Sequence, residues 1–267
     1  MFENKVKLSM RILVAVTFLT MIIVNALANI LPINGQGTGQ VSDAYPNLFA
    51  PAGLTFAIWG LIYLLLALYT LYQFGLFQKD KITTKVHLLE KIGFYFSISS
   101  IANAAWIFSW HYHLIPLSML LIVVILVCLI LVNQAINNFQ LSVKEQIFIR
   151  LPFSVYFGWI TVATIANATT LLVSMGWNGF GISESTWAIM IIITGMLIGV
   201  ITTIRNRDIA YGLVLVWAYA GILIKHKAVY GFAGQYPGII TTVIVCIVLL
   251  LITEAYIIFY DRRKKIY

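Results

Sequence analysis

Charge is what this 267-residue chain has least of: only 10% of its residues are Asp, Glu, Lys or Arg, against 61% hydrophobic. A soluble domain needs far more polar surface than that, so a soluble fold is excluded. Two cysteines, Cys128 and Cys246, both fall inside apolar runs. They cannot form a disulfide framework and read as buried thiols behaving as small hydrophobes. Soluble catalytic signatures are missing as well. The chain has no phosphate-cradling glycine loop followed by Lys-Ser/Thr, no H-E-x-x-H and no G-x-S-x-G, which argues against an ATPase, a zinc hydrolase or a serine hydrolase. The first apolar run is too long for a cleavable signal peptide and lacks a small-residue cleavage site, so it is expected to stay as a spanning helix.

What is present is hydrophobicity in long blocks, with a mean hydropathy of +0.95. A spanning helix needs about 20 mostly apolar residues. By that measure the chain predicts an all-α, polytopic membrane bundle of eight helices, at residues 10–31, 51–75, 92–110, 115–134, 152–175, 187–204, 209–224 and 238–260.

The net charge of +8 would suit nucleic acid, but the basic residues sit in short clusters between apolar runs. One side receives Lys5, Lys7, Arg11, Lys79, Lys81, Lys85, Lys91, Lys144, Arg150, Arg205, Arg207, Arg262, Arg263, Lys264 and Lys265, and the other only Lys225 and Lys227. Lys and Arg concentrate in cytoplasmic loops, which predicts a multi-pass protein of the plasma membrane with both termini cytoplasmic. Its surroundings are then the lipid bilayer, and nucleic acid is not expected as a partner.

Polar and aromatic residues mark particular helix faces. Pro51 reads as the start of the second helix, since proline is tolerated in a first turn. Pro51, Thr55, Trp59 and Tyr63 then recur every four residues along one face. Asn103, Trp106 and Trp110 share a face of the third helix, as do Tyr156, Trp159, Ala163 and Asn167 on the fifth, with Thr164 beside them. An amide in hydrocarbon needs a partner, so Asn103 and Asn167 should point into the bundle, where bonding between helices is their ordinary use. Trp110, Trp177 and Trp187 fall at external boundaries and fit an interfacial aromatic belt; Trp59, Trp106 and Trp159 sit deeper.

Glu254, two turns from the end of the last helix, reads as snorkelling toward or pairing with Arg262 and Arg263, or else as a coupling carboxylate. His111 and His113 read as a solvated turn, because no third ligand joins them to make a metal site. His87 and His226 sit among basic loop residues and look structural. The loop from Pro32 to Ala50, which carries Gly35, Gly37 and Gly39, reads as either a lid or a linker.

These residues resemble the tryptophan-rich sensory protein/translocator protein (TspO/MBR) family. Pro51, Trp59 and Tyr63 match its second helix, Asn103-x-x-Trp106 its third, and Tyr156, Trp159, Thr164 and Asn167 its fifth. The resemblance covers roughly residues 8–176 and implies a five-helix bundle over 1–176. Residues 177–267 would add three helices and a basic tail, which could complete a pathway, buttress the bundle or form an oligomer interface such as a homodimer's.

The resemblance further implies a small hydrophobic ligand, tetrapyrrole-like or sterol-like, in an intramembrane cleft. Its walls would be Trp59, Trp106 and Trp159, with Tyr63, Asn103, Tyr156, Ala163 and Asn167 around them. No resident cofactor and no metal are expected, and a porphyrin or haem-like molecule would be the ligand. The family's Pro-Pro pair with an upstream Trp is replaced by Ala50-Pro51 behind Leu48 and Phe49. A sterol-type motif is missing after Ala168, while Leu251, Tyr256 and Arg262 match that pattern in the last helix. The expected function is a receptor or carrier rather than an enzyme. The alternatives are a proton-coupled transporter using Glu254 and an enzyme acting on a bound tetrapyrrole.

Overall fold

The computed structural model describes residues 6–31, 33–77 and 85–264, except for the side chains of 261–264. Lys5, Pro32, Lys79, Lys81 and Lys265 lie outside the described residues, as do the side chains of Arg262, Arg263 and Lys264. The described chain is helical, with no strand among its residues. In lipid every backbone N–H and C=O must be satisfied internally, and a helix does this within one segment.

The spanning helices are α1 (Leu8–Ile30), α2 (Ile58–Gln73), α3 (Val86–His111), α4 (Ile115–Asn137), α5 (Leu151–Ser174), α6 (Glu184–Asn206), α7 (Ile209–Lys227) and α8 (Pro237–Lys264). Among the described residues, eight helices are long and apolar enough to cross a membrane. Their starts are written in the sequence. Pro116 occupies the first turn of α4, where a missing N–H costs nothing, and Pro152 follows a π-turn, Gln146–Arg150, that extends α5 back to Val143. Ser183 caps α6 by accepting from the Thr186 amide, and Asp208 caps α7 by accepting from the Tyr211 amide.

Three helix starts depart from the sequence reading, the fifth span being helical from Val143 rather than from 152. The third helix starts at Val86, six residues before the expected 92, because the hydrophobic criterion discarded a polar first turn containing His87, Glu90 and Lys91. Pro51 does not begin the second helix. A 3-10 turn, Gly53–Ala57, leads into α2, and Ala52 donates its amide to the Gly221 carbonyl of α7 at 3.0 Å. A 3-10 turn has three residues per turn rather than 3.6, so the four-residue stripe breaks at its first half. Thr55 turns to α7, where a Cβ on Gly221 would lie 2.0 Å from its hydroxyl, while Trp59 and Tyr63 keep a shared face.

The first five helices close into a ring in the order α1, α3, α4, α5, α2. Helices α6, α7 and α8 all touch one another, and α7 joins this group to the ring along α5. Close approach there depends on Gly158, whose Cβ would lie 2.8 Å from the Tyr211 carbonyl. The indole N–H of Trp217 donates to the Thr55 carbonyl at 3.0 Å, fixing α7 to the start of α2. Both cysteines are buried and free, as expected.

The loop between α1 and α2 folds over one end of the ring and includes a short helix, Thr38–Asp43. The two histidines after α3 hold it, which corrects the solvated-turn reading. His111 is fully buried, with Nδ1 bonded to the Ile107 carbonyl and Nε2 3.5 Å from the Thr38 hydroxyl. His113 Nδ1 lies 3.0 Å from the Tyr45 hydroxyl. His226 is also fully buried rather than in a basic loop, and its Nε2 bonds the Leu48 carbonyl of the same cap. An ion pair from Lys225 to Asp43 at 2.8 Å adds a fourth tie.

Candidate functional site: an aromatic cage beside an intramembrane groove

The cage is built by amides that link the ring helices. Asn25 on α1 donates to Asn103 Oδ1 on α3 at 2.7 Å, and Asn103 donates to the Tyr156 hydroxyl on α5 at 3.3 Å. The Trp106 indole donates to Asn167 Oδ1 at 2.9 Å, and Asn167 donates to Ser118 on α4 at 3.0 Å. Each bond is modest in a membrane, about 0.6 kcal/mol on average. Together they fix which way four helices face. The expected role of both asparagines, bonding between helices, is met, and both also border the central void.

Trp59, Trp106 and Trp159 converge, as their helix faces suggested. Trp59 and Trp159 pack edge to face with centroids 6.3 Å apart, and Trp59 stacks on Tyr63 at 5.5 Å. All three indoles line one void, together with Asn103, Ala163 and Asn167. Pro51 also lines it, from the loop rather than from a helix. Tyr156 is fully buried behind Trp59 and does not reach the void. Thr164 faces away, into a groove shared with α4 and α6.

Trp110, Phe56 and Thr38 are among the wall residues not expected at the site. Trp110, expected in an interfacial belt, is only 5% exposed, stacks on Trp106 at 5.3 Å and donates to the Thr38 carbonyl. Its signal was present in the sequence, since it shares the Asn103–Trp106 face. Phe56 packs edge-on to Trp159 at 5.7 Å. Thr38 comes from the loop cap, and no periodicity could have pointed to it.

The void between the indoles is small, about 50 Å³. That is space for a few waters, well short of a drug-sized pocket of about 300–1,000 Å³. The larger space lies next door. A groove of about 480 Å³ runs between α1 and α2, bordered by Asn25, Asn29, Trp59, Gly60 and Tyr63. Phe56, Trp59 and Thr38 line both spaces, so a shift of these three side chains would join them. Trp159 is 3% exposed, and its indole N–H has no acceptor among the described residues. A buried donor left unpaired is costly, about 1–3 kcal/mol, and rare enough to require an explanation.

Glu254 is placed otherwise than expected. It is 4% exposed, so its side chain does not snorkel, and neither carboxyl oxygen has a hydrogen-bond partner among the described residues; the expected pairing with Arg262 and Arg263 lies outside the described side chains. It lies against α7, where a Cβ on Gly212 would sit 1.7 Å from Oε1. The Thr203 hydroxyl, 1% exposed, is likewise unpartnered. Asp208 acts on Glu254 electrostatically and is itself held by Arg150 at 3.6 Å and by the Ser154 hydroxyl. No group of three His, Cys, Asp or Glu able to hold a metal occurs among the described residues.

A closed ring of five helices around stacked indoles, extended by three more helices, defines a polytopic helical membrane protein with an intramembrane aromatic cage. The chain belongs to the TSPO-like protein family, whose sequence model matches residues 11–256. That match runs on through α6 and α7 into α8, beyond the first five helices. Comparisons with curated proteins and with solved structures give no match.

Proposed function

We propose that the protein is a membrane receptor or carrier for a flat, hydrophobic, aromatic ligand. The ligand enters sideways from the bilayer through the groove between α1 and α2. The observation that carries this reading is the unpartnered Trp159 N–H, buried at a void that shares Phe56 and Trp59 with a ligand-sized groove. Indole faces hold flat rings, and a few polar groups orient them. Trp59, stacked on Tyr63, supplies the face, and Asn25 and Asn29 supply the amides. A ligand carbonyl or carboxylate reaching past Trp59 would give Trp159 its missing acceptor.

The donor set favours a metal-free tetrapyrrole or a similar polycycle over haem. Haem iron takes axial ligands such as His, Cys, Met or Tyr. Neither space is lined by His, Cys or Met, and Tyr63 is the one phenol on their walls. The test is quenching of tryptophan fluorescence in purified protein by a panel of metal-free porphyrins, sterols and isoquinolines. Trp59→Leu, Trp106→Leu and Trp159→Leu are titrated in parallel. Saturable quenching that Trp59→Leu and Trp159→Leu weaken supports the reading; no saturable quenching by any panel member rejects it.

A second reading, proton-coupled transport, is favoured by Glu254 alone. A buried carboxyl with no partner is a group of the kind that carries protons through membrane proteins. Under this reading Glu254→Gln abolishes uptake into vesicles and leaves ligand quenching intact.

A further inference from the structure

A groove of about 750 Å³ lies between α4, α5 and α6, on the opposite flank of α5 from the cage. It lies where the five-helix ring and the three-helix group are loosely packed: α4 packs on α5 and meets α6 at the mouth, while α6 packs mainly on α7 and α8.

Its chemistry changes along its length. At the end next to both chain termini it is bordered by Asn133, Gln134, Asn138 and Arg205. Its deep end is bordered by Leu126, Ile165 and Ile198. No acidic residue lines it among the described residues. Arg205 has no ion-pair partner among the described carboxylates, whereas its neighbour Arg150 is committed to Asp208 and to the Asn206 carbonyl. Asn137 and Asn206 bond each other across the mouth at 3.0 Å, so the polar end is ordered by contacts between α4 and α6.

The length is informative. From Leu126 to Asn138 is twelve residues of α4, or about 18 Å at roughly 1.5 Å per residue. Half of a hydrocarbon core about 30 Å thick is about 15 Å. The groove therefore runs from the membrane surface to the midplane, one leaflet deep, with donors and one cation at the surface end and aliphatic walls below.

The geometry points to an anionic phospholipid of that leaflet, bound with its headgroup phosphate at Arg205 and the neighbouring amides and one acyl chain between α4 and α6. Below the Asn137–Asn206 bond the lipid fills the gap between α4 and α6, and so joins the two helix groups along the depth of the leaflet. A zwitterionic lipid fits less well, because its cationic head would face Arg205 with no acid to receive it. This site is separate from the aromatic cage and does not depend on any role for it.

The test uses the full chain, delipidated in detergent and examined by native mass spectrometry. Phosphatidylglycerol, phosphatidylcholine of the same chain length and inorganic phosphate are added in separate arms. Wild type is expected to retain one phosphatidylglycerol under activation that strips phosphatidylcholine. Arg205→Gln should weaken that retention about fivefold, corresponding to ~1 kcal/mol for one arginine near an anionic surface. Lys144→Gln, which removes an exposed charge on the same side, should leave retention unchanged.

Ile198 is 42% exposed, so Ile198→Trp can fill the deep end without disturbing a packed core; it should lower retention while thermal unfolding stays at the wild-type value. Equal retention of the two lipids by wild type would overturn the proposal. So would equal effects of Arg205→Gln and Lys144→Gln, or binding of inorganic phosphate through Arg205 with no lipid retained.

Discussion

Replacing Gly60 with leucine separates the groove from the fold. Gly60 lies in α2 on the wall of the α1–α2 groove, and a Cβ built there meets no atom within 4 Å. A side chain at this position therefore grows into open space. The backbone should gain, since glycine in a helix interior costs roughly 0.5–1 kcal/mol relative to alanine. Four new carbons in the groove then exclude a ligand or force it to shift. Overpacking of this kind costs about 1–3 kcal/mol, which at 1.4 kcal/mol per decade weakens binding between about fivefold and a hundredfold. The assay is the porphyrin titration by tryptophan quenching, run beside thermal unfolding in the same detergent. The expected result is unchanged or slightly higher thermal stability with binding weakened at least fivefold. Undiminished ligand affinity in a folded Gly60→Leu protein would refute the groove as the entry route, whatever the tryptophan variants do.

Two tryptophans on one void should respond in opposite ways. Trp106→Phe leaves Asn167 without its indole donor and should lower stability by about 1–3 kcal/mol. Trp159→Phe removes an N–H that bonds nothing and should leave stability nearly unchanged while weakening ligands that carry an acceptor, read from melts and titrations together. Gly212→Ala drives a methyl into the Glu254 carboxyl and should destabilise by about 1–3 kcal/mol; Glu254→Ala in the same chain should restore most of that loss, and a double-mutant cycle with no coupling would sink the contact. Single cysteines placed near each terminus should be labelled from the cytoplasm only, over a low background from the buried Cys128 and Cys246. Labelling of one terminus from each side would reject the even number of spans.

The cage was partly legible in the sequence. The faces holding Asn103 with Trp106 and Trp159 with Asn167 follow from helical spacing, and α3 and α5 kept that spacing. The second-helix stripe was half right, because a 3-10 turn replaced the expected first α-turn and moved Thr55 onto α7. Trp110 and Glu254 were misplaced for a shared reason: depth along the chain was taken for depth from the surface. Trp110 is covered by the loop helix Thr38–Asp43 and Glu254 by α7, partners about 70 and about 40 residues away in sequence.

Composition and the spacing of basic clusters by themselves determine that the chain is an eight-span helical membrane protein. This is because the bilayer imposes one length and one hydrogen-bonding solution on every segment. Side-chain order on α2, α3 and α5 is enough to suggest the family. Only the packed structure decides where the space is: about 50 Å³ among the indoles, about 480 Å³ beside them, and a leaflet-deep groove on the far side of α5. Voids arise from how far helices distant in sequence can approach, which is set by contacts such as Asn25 with Asn103 and Gly221 with Thr55, and no local pattern in the chain encodes that distance.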